Sequence, residues 1–462
     1  MTEPLIFGAM VRTLGAYPSG WRHPGAHRDP AGDAAVLRRV ALAAEAADLD
    51  YLFFGDWLAT GPDLEFRDPY LLARIDPVSA SLFLAGITER IGLIATVNST
   101  YADPYATARA TASLDLLTGG RAGVNLVTGA EPRAAGNHGR DAHADNIGRY
   151  GRAEEFVRAL RLLWESWGED AWIADPEAGV LIDAAQLRAA SFAGEHLRVD
   201  GPLNVARPPQ VHPPIVHAGT SERSRALAAA EADLALIATP TLELAVRERA
   251  DLRRSAVAAG RGADDLKVIV PVLPVVAETV ADARVILTRL LELVPIGSGH
   301  RERPGYPAAR SLAALLDAAG FAPDDSTRAA ALDDAVGPAT LERLDSAGIA
   351  AVSVVARWTG RTASGREPVR WRHLVAAHTV PANVVVGDAA TFADHAEAWR
   401  DAAATDGFNV LSAFQPAQFE AFTTLAVPEL RRRGLLGRSG ATLRERLSLP
   451  APRLLHAAPA LV

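Results

Sequence analysis

The sequence predicts an α/β fold, a single (β/α)8 TIM barrel with insertion segments on its C-terminal face. Three observations lead there: short apolar runs alternate with longer stretches of helical period, the runs number eight, and the irregular stretches each follow a run. Most runs are apolar on both faces, as strands buried in a parallel sheet are. The chain has 462 residues, 49% of them apolar. Barrels of this kind exceed the usual domain length, so residues 1–462 are expected to form one domain.

The first strand is LIFGAMV from Leu5, the second YLFFGD from Tyr51 and the third IGLIATV from Ile91. DPYATARATASLDLLTGG follows, with Asp103 and Pro104 as N-cap and first-turn pair and Gly119 as the stop of a helix. AGVNLVTG from Ala122 is strand four. After it Phe156, Val157, Leu160, Leu163, Trp164 and Trp167 form one stripe at helical spacing, the face of a helix against the barrel wall. PIVHAG from Pro214, DLALIAT from Asp233, LKVIVPVL from Leu266 and FNVLSAF from Phe408 complete the eight, with TVADARVILTRLLELV from Thr279 as an amphipathic helix after the seventh. Insertions at about 130–147, 170–212 and 295–386 and an extension over 416–462 break the alternation. Lying after strands, the insertions fall on the face where such barrels keep their active sites.

Several function classes drop out. The net charge of −8, with both signs spread along the chain, offers no basic stripe for nucleic acid. There are no cysteines, which excludes disulfides and thiolate chemistry and fits a cytoplasmic location. No basic head precedes a long apolar run and no stretch nears the ~20 apolar residues of a membrane span. GxGxxG and GxxxxGK[ST] are both missing; GGRAG at Gly119 ends a helix and enters a strand, the reverse of a dinucleotide turn. HExxH is missing too, so no metal is expected. His217, at the end of strand five, is either a lone ligand or a hydrogen-bonded pocket histidine.

Two groups of residues carry candidate chemistry. Gly219, Thr220 and Ser221 close a strand and open a helix, which is either an anion site on free N–H groups or an ordinary Ser/Thr cap after a glycine turn. Asp56, Thr96, Asn98, Asn125 and Thr128 put polar side chains on the C-terminal ends of three successive strands. Left buried and unpaired, each would cost ~1–3 kcal/mol, so they bond one another or face a polar ligand.

GWRHPGAHR at Gly20, AEAADLDYLFFGD at Ala44, ERIGLIATVNSTYADPYATARATASLDLLTGGRAGVNLVTG from Glu89, RYGRAEEFVRALRLLWESW at Arg149, GPLNVARPPQ at Gly201, HAGTSERSRALAAAEAD at His217 and DGFNVLSAFQP at Asp406 carry a family likeness. Together they resemble the bacterial-luciferase-like flavin-dependent monooxygenases, in the branch of nitrilotriacetate, dibenzothiophene-sulfone and pristinamycin monooxygenases. The resemblance implies a barrel that binds FMN, receives it reduced (FMNH2) from a separate NAD(P)H-dependent flavin reductase, and uses O2 through a peroxyflavin. The substrate implied is a small organic molecule: an amine, a sulfur compound or a heterocycle. Carried over, Asp56, Thr96, Asn125 and Thr128 line the isoalloxazine ring, Tyr150 lies near the ribityl-phosphate chain, and Gly219, Thr220 and Ser221 hold the phosphate. His23, in GWRHP, is the candidate catalytic side chain beside the reacting atoms, or else a loop histidine capping the next helix.

This chain departs from the branch in places. His138 stands where Asn-Phe-Gly is common, and Asn146 where a histidine four residues before the tyrosine is usual, which moves a cofactor contact to Asn146 or His143. Ser224 replaces a glycine of the phosphate turn. HRERPGYPAAR at His300 and ARWTGRTASGREPVRWRH at Ala356 are the chain's own, and their Arg and Trp residues either meet an anionic or aromatic substrate or form a solvated lid edge. The resemblance also implies a homodimer or homotetramer. A deazaflavin-dependent dehydrogenase and a non-catalytic flavin-binding protein are the alternative functions on the same barrel.

Overall fold

Eight parallel strands close into a barrel: β1 (Ile6–Met10), β2 (Tyr51–Phe54), β3 (Gly92–Asn98), β4 (Ala122–Val127), β5 (Ile215–Ala218), β6 (Leu234–Leu236), β7 (Lys267–Val276) and β8 (Gly407–Leu411). The structure is a computed structural model that describes residues 3–17, 20–60, 75–239, 241–294, 334–337, 341, 342, 344, 346–363, 365–378 and 383–455. Each of the eight apolar runs is therefore a strand, and every neighbouring pair is parallel, with closure through Gly8 opposite Asn409. Around the wall stand α1 (Asp33–Ala46), α2 (Pro77–Ala85), α3 (Pro104–Thr118), α4 (Asn146–Trp164), α5 (Glu222–Glu231) and α6 (Leu242–Ala258). The caps are those the sequence offers: Asp103 accepts from the Ala106 amide, and Gly119 ends α3 in the left-handed region at φ 64°. Helix α4 stops at Trp164, and Trp167 lies beyond it, with its indole N–H donating to the Leu203 carbonyl at 2.8 Å.

The seventh connection holds two helical layers. Helix α7 (Val280–Leu293) gives Leu287, Leu290 and Leu291 to an apolar cluster shared with α8 (Ser346–Thr359), α9 (Trp371–His378) and the added strand Asn383–Gly387. That cluster also takes in Ala16 and Tyr17 after β1 and Ala413 and Phe414 after β8, so the insertion rests on the β1 and β8 side of the barrel mouth. The barrel wall itself is covered by α10 (Ala389–Asp401), through Phe392, Ala393, Ala396 and Trp399. Within 170–212 lie two short antiparallel hairpins, Trp172–Ile182 and Phe192–Val199. The string at His300 lies outside the described residues.

The register sets alternate strands in layers inside the barrel, and Phe53, Asn125, Leu236 and Asn409 form one of them. Below it the floor is apolar: Ile6, Ile94, Val216, Leu234 and Ile269 meet Leu443, Leu447 and Leu449 of the C-terminal segment, which closes the N-terminal mouth. Gly92 makes room for this plug, since a Cβ there would meet Leu443 at 2.5 Å. One electrostatic device recurs at this end. Asp50, Asp233 and Asp406, each just before an even-numbered strand, accept the amides of Phe7, Ile215 and Val268 at 2.7, 2.8 and 2.7 Å. Arginines neutralise all three: Arg446 on Asp50, Arg444 on Asp233, and Arg249 with Arg253 on Asp406.

Candidate active site

The polar strand ends predicted from sequence do meet on one side of the C-terminal mouth. Asn125 and Thr96 face each other across β3 and β4, with the Asn125 amide donating to Thr96 Oγ1 at 2.9 Å. Asn125 is 2% exposed, and its Oδ1 has no partner among the described residues. Turning the amide over moves the vacancy from oxygen to nitrogen without filling it. Thr128 is buried next to this pair, and its carbonyl accepts from Thr100 Oγ1 at 2.6 Å. Asp56, after β2, accepts the Trp57 amide at 2.7 Å. Asn98 turns back on its own loop, accepting the Thr100 amide at 3.0 Å.

Beside these groups is a cavity of about 330 Å3 lined by Asp56, Thr96, Asn98, Tyr101 and His138 together with small and apolar side chains of α3. Its aromatic wall was not legible as a unit in the sequence. His138 stacks on Tyr101 at 4.4 Å, His143 Nδ1 lies 2.6 Å from the Tyr101 hydroxyl, and Arg140 sits over the ring at 5.1 Å. Asn146 stands apart, exposed at the first turn of α4, with its Oδ1 accepting from Arg149 at 3.2 Å.

The Gly219–Ser221 turn sits at the end of β5, where Ser221 caps α5 by accepting the Ser224 amide at 3.2 Å. Thr220 and Ser221 are exposed, and the first-turn amides of a helix have no intrahelical acceptor, so they face outward with the positive end of the dipole. Gly219 has φ 154°, and a Cβ would meet Ser224 Oγ at 2.2 Å. Ser224 is itself engaged elsewhere, within 2.9 Å of His217 Nε2. His217 Nδ1 is 2.7 Å from the Leu126 carbonyl, which can only accept, so Nδ1 carries the proton and Nε2 takes the Ser224 hydroxyl. Burial holds His217 below the usual histidine pKa, hence neutral. With both nitrogens engaged it is a structural pocket histidine and offers no lone pair to a metal. Tyr150 joins the turn, its hydroxyl 3.4 Å from Ser221 Oγ and its ring edge-on to His217.

Across the mouth, His23 follows the 3-10 turn Gly20–Arg22 and stacks on Phe414 at 4.2 Å. Its Nδ1 lies 2.8 Å from the Pro24 carbonyl and so bears the proton. Burial lowers its pKa, and the charge of Arg289 lowers it further. The contact with Asp33, at the start of α1, belongs to His27 instead. Asn409 escaped the sequence reading altogether: it is fully buried in the layer with Asn125, and neither of its side-chain polar atoms has a partner among the described residues. Among the described residues there is no cluster of three or more metal-ligating side chains, and no helix long and apolar enough to cross a membrane.

A closed parallel barrel that gathers buried amides, an aromatic wall and an outward helix start on its C-terminal mouth has the arrangement of a (β/α)8 enzyme's ligand site. The chain belongs to the luciferase-like monooxygenases, a family of flavin-dependent enzymes whose pattern matches residues 17–406. It is 33% identical to nitrilotriacetate monooxygenase component A of Aminobacter aminovorans, covering 98% of both chains. It is 32% identical to N-acetyl-S-(2-succino)cysteine monooxygenase of Bacillus subtilis (strain 168), over 97% of this chain and 98% of that one. In fold it is similar to the crystal structure of DmoA from Hyphomicrobium sulfonivorans, with a TM-score of 0.78 at 24% identity over 96% of this chain and 92% of that one.

Proposed function

We propose that the protein is the oxygenase component of a two-component system. It takes up reduced FMN made by a separate NAD(P)H-dependent flavin reductase and uses O2 to oxidise a small organic substrate, an amine, a sulfur compound or a heterocycle. The observation that carries this reading is Asn125, whose buried amide keeps one polar atom unpaired among the described residues, beside Thr96 on the mouth that also holds the Gly219 turn. A heterocycle with donors and acceptors on its edge and a phosphate on its tail fits that pairing. Bound reduced FMN supplies the electrons that split O2, one oxygen atom going to the substrate and the other to water.

The chain's own residues then have three tasks. Asn125, Thr96, Thr128 and Asp56 orient the ring, while Gly219, Thr220, Ser221 and Tyr150 hold the phosphate and its chain. Asn146, turned to Arg149 at the solvent edge, stands outside this set. Tyr101 and His138 wall the site, and Phe53 and Leu236 beneath it help exclude water. His23 is neutral, and because Nδ1 carries the proton, Nε2 is left as an acceptor for a hydrogen bond or a proton near the substrate. Leu82 and Phe83 of α2 and Leu116 and Leu117 of α3 are exposed, and a homodimer or homotetramer would cover them. The cysteine-free composition supports a cytoplasmic location.

Anaerobic titration followed by flavin absorbance and fluorescence tests the reading. The purified protein is expected to bind reduced FMN more tightly than oxidised FMN, and after oxygen is admitted the bound flavin should reoxidise more slowly than free reduced FMN. No binding of reduced FMN sinks the assignment and turns attention to a deazaflavin.

A further inference from the structure

Asn409 has no task in the function proposed above, yet its surroundings are unusual for an amide. On β8, Phe408 and Val410 belong to the cluster that packs the outer helices against the wall, so the residue between them faces the barrel interior. Asn409 shares a layer with Asn125, and β4 and β8 stand four strands apart in a ring of eight. The two amides therefore enter the barrel from opposite walls.

Asn409 is 0% exposed, and neither Oδ1 nor Nδ2 has a partner among the described residues. Its neighbours in the layer, Phe53 and Leu236, are apolar, and so are Ile6 and Ile269 on the two strands that border β8 one step below. Tyr51 comes near from β2. Its ring lies across Gly8, the residue opposite both Tyr51 and Asn409, where a Cβ would meet Tyr51 Cζ at 2.1 Å. The Tyr51 hydroxyl is unpaired as well, so the two groups do not satisfy each other. A buried amide without partners is destabilising, and an apolar side chain of like shape would avoid that cost.

With apolar neighbours beside and below, a partner for this amide has to come from the C-terminal mouth. The next inward residue in that direction on β1 is Met10, which is partly exposed and carries a flexible thioether chain that can swing aside. The amide offers an acceptor and a donor side by side, and a ligand edge with adjacent C=O and N–H groups matches it. We propose that Asn409 is a further cofactor-binding residue, which meets the polar edge of the flavin ring from the wall opposite Asn125 once Met10 has moved. The role rests on the oxygenase reading above, whereas the cost of the unpaired amide can be measured without flavin.

Anaerobic fluorescence titration of the full-length protein provides the test, with reduced FMN and with reduced riboflavin, which has the ring and no phosphate. The thermal midpoint is measured alongside, without flavin. Asn409→Leu, close to asparagine in shape, is expected to weaken binding of both flavins roughly tenfold and to leave the thermal midpoint unchanged or raise it. Asn409→Thr, which keeps one polar group, should fall between in affinity. Tyr51→Phe should leave both affinities within roughly twofold, because its hydroxyl is not the partner of the amide. Wild-type affinity in Asn409→Leu, a loss confined to FMN, an equal loss in Tyr51→Phe, or a lowered midpoint in both Asn409 variants overturns the assignment. Failure of the wild type to bind either reduced flavin is a different result: it strikes the cofactor reading and this role with it, whereas the other four strike this role alone.

Discussion

Replacing Arg446 by alanine is expected to destabilise the protein by about 3–5 kcal/mol, the range found when one partner of a buried ion pair is removed. Arg446 is 7% exposed at the side chain and donates to Asp50 Oδ1 at 3.0 Å and to Asp48 Oδ1 at 2.6 Å. Asp50 is 3% exposed, and its other oxygen accepts the Phe7 amide, so it is fixed in place and cannot turn to water. Burial pushes the Asp50 pKa up to about 6 even with Arg446 beside it. Without the guanidinium it rises further. A carboxyl whose folded pKa lies above its unfolded value of about 4 is penalised as pH climbs through and past that interval. The deficit of Arg446→Ala should therefore be larger at pH 8 than at pH 5, and adding Asp50→Asn should recover part of it, because the amide oxygen can still accept from Phe7 with no charge to bury. Urea unfolding of the single and double variants at both pH values measures this. A loss under about 1 kcal/mol that ignores pH would mean that the C-terminal plug is held by Leu443, Leu447 and Leu449 packing alone.

The barrel was legible because its strands are buried on both sides: runs such as GLIATV and KVIVPVL are almost wholly apolar, and eight of them alternate with helical stretches, whereas the ninth, NVVVG, falls inside an insertion and was not read as a strand. The hairpins in 170–212 were not, since Trp172–Asp175 is exposed along its length and carries no alternation to read. Helix α7 was visible from its period, yet period says which face is buried and not against what; its partners are α8, α9 and the added strand, far along the chain. The same limit applies at the site. Asn125 and Thr96 stand out because each interrupts an apolar strand, whereas His138 and Tyr101 meet only once loops 37 residues apart are folded together. Asn409 interrupts FNVLSAF just as Asn125 interrupts AGVNLVTG, so the signal for it was present. The role of Arg444 and Arg446 had a weaker cue: Thr442 and Glu445 form a capping box, which marks a helix in the tail but not the aspartates it reaches.

Gly219→Ala is expected to weaken binding of reduced FMN by roughly one to two orders of magnitude, as an energy of about 1–3 kcal/mol for a residue forced into a sparsely populated backbone region implies. At φ 154° with a Cβ 2.2 Å from Ser224 Oγ, the alanine cannot be seated while β5, the turn and α5 keep their places. The turn is exposed and can shift, but Ser224 cannot, because it is 1% exposed and tied to His217. The strain is therefore relieved by moving the turn, and the loss appears in phosphate binding more than in stability. Ser224→Gly removes the atom that the new Cβ meets. Alone it should leave affinity within roughly threefold, since Ser224 Oγ points to His217 and not to the ligand side of the turn; combined with Gly219→Ala it should restore part of the binding. Fluorescence titration with reduced FMN, alongside the thermal midpoint of each variant, separates the outcomes. Equal affinity in Gly219→Ala and wild type would place the phosphate elsewhere, whereas a loss that Ser224→Gly repairs ties it to this turn.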